Sequence, residues 1–148
     1  MGVCFDHGGL VYNRTIEENL LLPLNYHHFC SQTEAKERVT HYLNQLKIIE
    51  FKDLRPAFVP AGVNRLVILL RSLIHFPELL LWNNPTMGLD EDFFKPVIEL
   101  VREMKEHHGL KHIFIASEDF EFMNVFGFEI LNFENGKITL LGQQEQVA

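Results

Sequence analysis

Residues 79–90 read Leu-Leu-Leu-Trp-Asn-Asn-Pro-Thr-Met-Gly-Leu-Asp. An apolar run ends in two adjacent polar residues, and Pro-Thr and Gly-Leu-Asp follow. A short apolar run bounded by turn-forming residues predicts a buried strand over Leu79–Trp82. Just before it, Asn64–His75 carries Leu66, Val67, Ile68, Leu69, Leu70, Leu73 and Ile74. A helix apolar on most sides is buried.

Working outward, Met1–Phe5 reads as a short buried strand and His7-Gly8-Gly9 as a loop. Thr15, with Glu17 and Glu18 behind it, opens a short helix to Leu22 as a capping box, and Pro23 is expected to end or kink it. Ser31 with Glu34 makes a second capping signal. Behind it Ala35, Val39, Tyr42, Leu43 and Leu46 recur at helical spacing. Ile48–Pro60 reads as a loop. Phe93–Met104 is predicted helical, with Pro96 in its first turn. Lys111–Ser117 and Phe128–Phe133 read as strands, and Asn135-Gly136 as a hairpin turn into Ile138–Leu141. Strands alternating with helices predict an α/β fold with a largely parallel, buried sheet and a C-terminal β-hairpin. The chain reads as one domain over 1–148, with a helical subdomain over about residues 15–75 inserted between two sheet strands.

The chain has 148 residues, enough for one domain with a core. A formal net charge of −7 argues against a broad nucleic-acid-binding surface. Cys4 and Cys30 have no metal or redox spacing and read as buried free thiols in a reducing compartment. No apolar run reaches the ~20 residues of a spanning helix, and no secretory leader is expected at Met1–Phe5, so direct membrane insertion is not expected. The histidine pairs His27-His28 and His107-His108 cannot share a helix face and read as solvated, so no metal site is expected. Glu118, Asp119 and Glu121 read as a solvated helix start. Phe93/Phe94 and Phe120/Phe122 read as core or interface.

Taken in order, these segments resemble an ABC-type ATPase from its Q-loop to its end. Phe5-Asp6 resembles the Phe-Gln of the Q-loop, and Thr15–Asn19 with Leu22-Pro23-Leu24 the approach to the helical subdomain. Val59-Pro60-Ala61-Gly62-Val63 stands where the Leu-Ser-Gly-Gly-Gln signature belongs. Arg71-Ser72-Leu73 and Pro77–Leu81 match the run into Walker B, and Met87–Asp90 matches the D-loop. Ile115–Asp119 resembles the switch segment. The His-Gly-Gly-Leu and Leu-Pro-Leu stretches are similar to lipid-transport (Mce-type) members. The resemblance covers nearly the whole chain. It implies a partial P-loop NTPase fold, and ATP with Mg²⁺ as the family's ligands.

The departures carry the functional expectation. No Gly-x-x-x-x-Gly-Lys-Ser/Thr occurs, so the phosphate cradle and its lysine are missing from these residues. The Walker B pair, normally Asp-Glu, is Asn83-Asn84. Asn83 offers a neutral carbonyl where magnesium prefers charged oxygen. Asn84 cannot act as a general base, a loss that typically costs about 10²–10⁴ in rate. Asp6 and Glu118 place negative charge where a γ-phosphate would lie. Pro60 lacks the signature serine's hydroxyl, Ala61 crowds a glycine position, and Gly62 is retained. By the resemblance, the degenerate catalytic positions are Asn83, Asn84 and Glu118. The degenerate nucleotide positions are Asp6, Pro60, Ala61, Gly62 and Asp90. No resident metal or cofactor is expected.

The reading that follows is an inactive ABC-type module. It would work by docking on a transporter permease or a partner ATPase subunit through Asn19–His28 and the helical subdomain. It would sit in the cytoplasm, peripheral to the inner face of the membrane, with no nucleic-acid partner. Two other readings stand beside it. One is a residual ATPase completed in trans by a chain carrying Walker A, and the other is a fragment without independent function. In the family the phosphate-loop strand lies between the switch strand and the closing strands. Its absence predicts either direct pairing of Lys111–Ser117 with Phe128–Phe133, or completion by a second chain in a homodimer or strand-exchanged oligomer, and a lone chain with the slot left empty is the outcome least expected.

Overall fold

The computed structural model describes residues 1–6, 9–26, 30–127, 129–134 and 136–141. Strand β1 (Gly2–Cys4) is followed by helices α1 (Ile16–Tyr26), α2 (Gln32–Gln45) and α3 (Ala61–Leu73). Then come β2 (Leu79–Asn83), α4 (Phe94–His107), β3 (His112–Ala116), the short α5 (Phe120–Val125), and a hairpin of β4 (Ile130–Glu134) and β5 (Lys137–Leu141). The first three strands form one parallel sheet in the order β1-β2-β3.

The register sets Gly2, Leu80 and Ile113 in one row and Cys4, Trp82 and Ile115 in another. This face meets the helices, and Cys4, Leu80 and Trp82 are buried in the core. Alternation puts Val3, Leu81 and Phe114 on the other face. There Phe114 is 62% exposed. The sheet is parallel as predicted but covered on one face only, so β2 and β3 alternate in burial instead of being buried throughout.

Helix α3 is the hub. It starts at Ala61, before the expected Asn64, and buries Leu66, Val67, Leu69, Leu70 and Leu73. Its approach to β1 requires a glycine, because a Cβ on Gly2 would run into the Ser72 carbonyl oxygen. The Trp82 indole N–H donates to Ser72 Oγ at 2.9 Å, and Ser72 Oγ donates back to the Leu69 carbonyl at 2.7 Å.

Both capping boxes form. The Thr15 N–H donates to Glu18 Oε2 at 2.8 Å and the Glu18 N–H to Thr15 Oγ1 at 3.2 Å. Ser31 and Glu34 exchange the same pair of bonds, and Ala35, Val39, Tyr42, Leu43 and Leu46 are buried as their spacing required. Pro23 does not stop α1, which runs on to Tyr26. Leu20 and Leu24, fully buried on either side of the proline, hold the last turn against the core. Ile48–Pro60 contains two short 3-10 turns, Ile49–Phe51 and Pro56–Phe58. In α4, Pro96 falls in the first turn, where a missing N–H is tolerated.

Helix α5 is anchored by Phe122, whose ring meets Phe94 at 5.8 Å and Phe126 at 5.2 Å, edge to face. Beyond it, among the described residues, the strands of the hairpin pair only with each other. The expected direct pairing of β3 with β4 is not formed, and the single chain instead leaves the slot between them open, the outcome least expected from the sequence. The α5 anchor fixes where the connection leaves the core, and the hairpin satisfies its inner edges locally. Phe128 and Asn135, at the expected start of β4 and in the expected turn, lie outside the described residues, as do Gly8 and the His27-His28 pair.

His108 departs from the expectation of solvated histidines. Its ring stacks on Phe76 at 3.8 Å and lies 3.3 Å from the Tyr42 hydroxyl, whereas His107 is exposed. Both cysteines are free, but only Cys4 is buried, and Cys30 is intermediate. Burial pushes the Cys4 thiol up, against the pull of Arg65 and Arg71. Among the described residues no helix is long and apolar enough to cross a membrane.

Candidate functional site

Parallel strands in α/β sheets present loops at their carboxyl ends, where ligands of such folds bind. Here β1, β2 and β3 end side by side, with Asn83 opposite Ala116 in the register. The residues that follow them carry Asp6, Asn84 and Glu118. Asn84 continues the ladder by one step, its N–H donating to the Ala116 carbonyl at 2.7 Å. Its φ is then +44°, in the left-handed region that asparagine tolerates better than most side chains. The chain turns sharply, and the Met87 N–H donates back to the Asn84 carbonyl at 3.1 Å.

One residue that the sequence reading passed over organises these loops. Arg65, in the second turn of α3, is only 5% exposed. Its Nε donates to the Pro85 carbonyl at 3.2 Å. One terminal nitrogen donates to the carbonyls of Phe5 at 2.8 Å and Asp6 at 3.4 Å. The other donates to Asn83 at 3.3 Å and Asn84 at 2.6 Å. A guanidinium has five N–H donors, and backbone carbonyls take all of them. The signal was present in the sequence: Arg65 falls among Val63, Leu66, Val67 and Leu69 in a helix expected to be buried, and a buried arginine rarely lacks partners.

Pro60, Ala61, Gly62 and Asp90 form a second group at the start of α3. Pro60 sits at the N-cap position and supplies no side-chain bond. Gly62 is buried, and the Asp90 carboxylate lies so close above it that a Cβ would overlap its oxygens. Pro60 and Ala61 are exposed beside it.

All of the sequence-named positions but Glu118 therefore fall into two groups, each gathered at a residue in the first two turns of α3. Asp6, Asn83 and Asn84 are joined through Arg65, whereas Gly62 and Asp90 touch directly. Glu118 joins neither and stands exposed ahead of α5. Next to it, the Asp119 N–H donates to Ser117 Oγ at 3.0 Å, and Asp119 Oδ1 accepts from the Phe122 N–H at 2.9 Å, so Asp119 caps the helix. Asn83 and Asn84 carry neutral amides, which can hydrogen-bond but cannot hold a proton as a base. Among the described residues no cluster of three or more His, Cys, Asp or Glu side chains is arranged to hold a metal.

On the open face of the sheet, a cleft of about 890 Å³ separates β3 from the hairpin. Val3, Leu81, Phe114, Leu131 and Phe133 line it together with Asn83. The proposed docking segment is partly withdrawn from solvent. Asn19 is fully buried, and its side chain bonds the backbone of Val11, Arg14 and Thr15. Tyr26, at the end of α1, is 82% exposed.

No protein-family model matches the chain. It is 29% identical over 147 residues to the methionine import ATP-binding protein MetN of Protochlamydia amoebophila, a match covering 99% of this chain and 42% of that protein. The corresponding protein of Clostridioides difficile is 26% identical over 147 residues, covering 99% of this chain and 45% of its own length. The chain thus spans less than half the length of the curated relatives it matches. Among solved structures, a dimeric ATP-binding cassette in a post-hydrolysis state with ADP and Pi superposes with a TM-score of 0.83 at 23% identity, over 97% of this chain and 63% of that one. A dimeric bacterial ABC transporter cassette gives 0.81 at 23% identity, over 93% and 60%.

Proposed function

This chain being a partial ABC-type ATPase domain, we propose that it acts by binding protein partners of a transporter and not by hydrolysing ATP. The observation that carries the proposal is the Asn83-Asn84 turn. The two positions that would hold metal and activate water bear neutral amides. The second sits in a left-handed turn whose carbonyl is committed to Arg65 and Met87. Asp6 and Glu118 add negative charge to the segments that follow β1 and β3, and Pro60 and Ala61 replace the hydroxyl and glycine of a signature loop. The partners are a permease or an intact ATPase subunit. They would be met through the helical region of residues 15–75, with Tyr26 in place of the buried Asn19. The expected placement is peripheral, on the cytoplasmic face of the membrane. The curated relatives named above carry methionine-import names, not lipid-transport ones.

The test is Mg²⁺-dependent phosphate release by the purified chain, paired with an ATP titration. No release above background and no micromolar binding are expected. Rapid release that disappears on altering Asn84 would overturn the proposal. Capture of a permease or ATPase subunit by the tagged chain, lost on Tyr26→Ala, would support the docking half.

A second reading is favoured by the cleft beside β3. Its apolar lining and the edge of β3, which has no strand beside it among the described residues, suit an added strand from a polypeptide that carries a phosphate loop. Co-expression with such a Walker A half would yield a stable complex that binds Mg-ATP, still with very slow turnover. Failure to form that complex would remove this reading and leave the first intact.

A further inference from the structure

We infer that Arg65 is a positioning residue that makes the start of α3, the loop after β1 and the loop after β2 move as one unit. The loops after β1 and β2 belong to strands separated in sequence by three helices. A single planar fork nonetheless bonds Phe5 and Asp6 after β1, Asn83 at the end of β2, and Asn84 and Pro85 in the loop beyond it. Its geometry is rigid, so one loop cannot shift relative to the other without breaking charge-assisted bonds in a buried setting.

Three further contacts extend the unit. Arg65 lies one turn beyond Gly62, and Gly62 bears on the Asp90 carboxylate, so the segment after the Asn84 turn touches the same helix. The Asn84 carbonyl accepts from both Arg65 and the Met87 N–H, which stabilises a backbone conformation that a non-glycine residue adopts at a cost. The Asn84 N–H reaches Ala116, which adds the end of β3. A partner that tilts α3 would thereby reset the carboxyl ends of all three parallel strands. The coupling is a property of this backbone cage and holds whether or not any nucleotide binds there.

Hydrogen exchange on the full chain tests it. In Arg65→Lys the charge remains, but three donors replace five. Exchange at the Asn84 and Met87 amides is expected to rise by at least about tenfold, while amides inside α2 stay within about twofold. Equal rises everywhere, or none at Asn84 and Met87, would overturn the inference. A second variant separates positioning from simple support. Gly62→Ala, which leaves Arg65 in place, is expected to change exchange at Asn84, and that change is expected to vanish in the Gly62→Ala/Arg65→Lys double variant. Persistence of the Gly62→Ala effect at Asn84 without the arginine would equally sink it. If Arg65→Lys does not fold, the Gly62→Ala arm alone decides: no change at Asn84 refutes the coupling.

Discussion

The Tyr42 hydroxyl donates to Glu103 Oε1 at 3.0 Å and so ties α2 to α4 across the molecule. Gln45 adds a second donor to the same carboxylate at 2.8 Å, and His108 lies 3.5 Å away. Arg38 stands over the other face of this corner, 4.0 Å from the Phe76 ring centroid. Burial and the neighbouring carboxylate push the Tyr42 hydroxyl upward, so it remains a donor throughout the working range. Tyr42→Phe is expected to cost about 1 kcal/mol in urea unfolding at neutral pH. A loss near zero would show that the bond does not hold the two helices together.

The same carboxylate gives a pH dependence. Burial alone would raise the Glu103 carboxyl, but the Gln45 amide, the Tyr42 hydroxyl and His108 outweigh it and leave it below the ordinary value. A depressed carboxylate contributes stability that is present above its unfolded value and lost as pH falls through the folded one. The wild type should therefore lose stability through the acid range below the ordinary glutamate value. Glu103→Gln should flatten that part of the curve. Parallel curves for the two proteins would refute the assignment.

Two glycines make contrasting predictions. A Cβ at Gly2 meets backbone, the Ser72 carbonyl, which cannot move without shifting α3. Gly2→Ala is expected to cost about 1–3 kcal/mol, the usual range for overpacking. At Gly62 the obstacle is the short Asp90 side chain, so an added Cβ displaces Asp90 and its segment while the Ser72 end of α3 stays in place. Gly62→Ala should cost less than Gly2→Ala, and nearly nothing when made together with Asp90→Ala. Thermal unfolding of the four proteins would settle the order.

Asn84 holds φ +44°. Asn84→Gly should be tolerated, whereas Asn84→Val should cost about 1–2 kcal/mol through the left-handed strain. Restoring a carboxylate by Asn84→Glu is expected to leave phosphate release at background. Turnover in that variant would show that one side chain was all the site lacked.

The hairpin carries an uncovered apolar face. Leu131 pairs with Leu140 and Phe133 with Ile138 across the strands, and exposure at these four runs from 52% at Leu131 to 71% at Phe133. Contiguous apolar surface of this kind drives association. Sedimentation is expected to show mass rising with concentration, and Leu131→Lys/Phe133→Lys to abolish the rise. A monomer at all concentrations would contradict this.

Much of the fold was legible in residues alone, because the signals were local. Thr15 with Glu18 and Ser31 with Glu34 announced two helix starts through bonds that close within one turn. Ala35, Val39, Tyr42, Leu43 and Leu46 announced the buried face of α2 through their period. The apolar run at Leu79–Trp82 gave a strand of the sheet. Pro23 misled, because the penalty of a proline is local while the burial of Leu24 that outweighs it is not. The one-sided sheet was invisible because Leu81 and Phe114 are as apolar as their buried neighbours. Only the arrangement of helices decides which face is covered.

For the site, the sequence by itself determined the chemistry on offer. Asn83 and Asn84 are neutral amides, Pro60 has no hydroxyl and no N–H, and no phosphate-loop motif occurs in these 148 residues. Side-chain chemistry does not depend on the fold. Tertiary structure alone decided that Arg65 gathers five carbonyls from two loops, that Asp90 rests on Gly62, and that β3 and β4 stand apart across an apolar cleft. Backbone carbonyls are alike at every residue, so no sequence pattern marks which of them converge. Their meeting point exists only once the strands are aligned and α3 is packed against them.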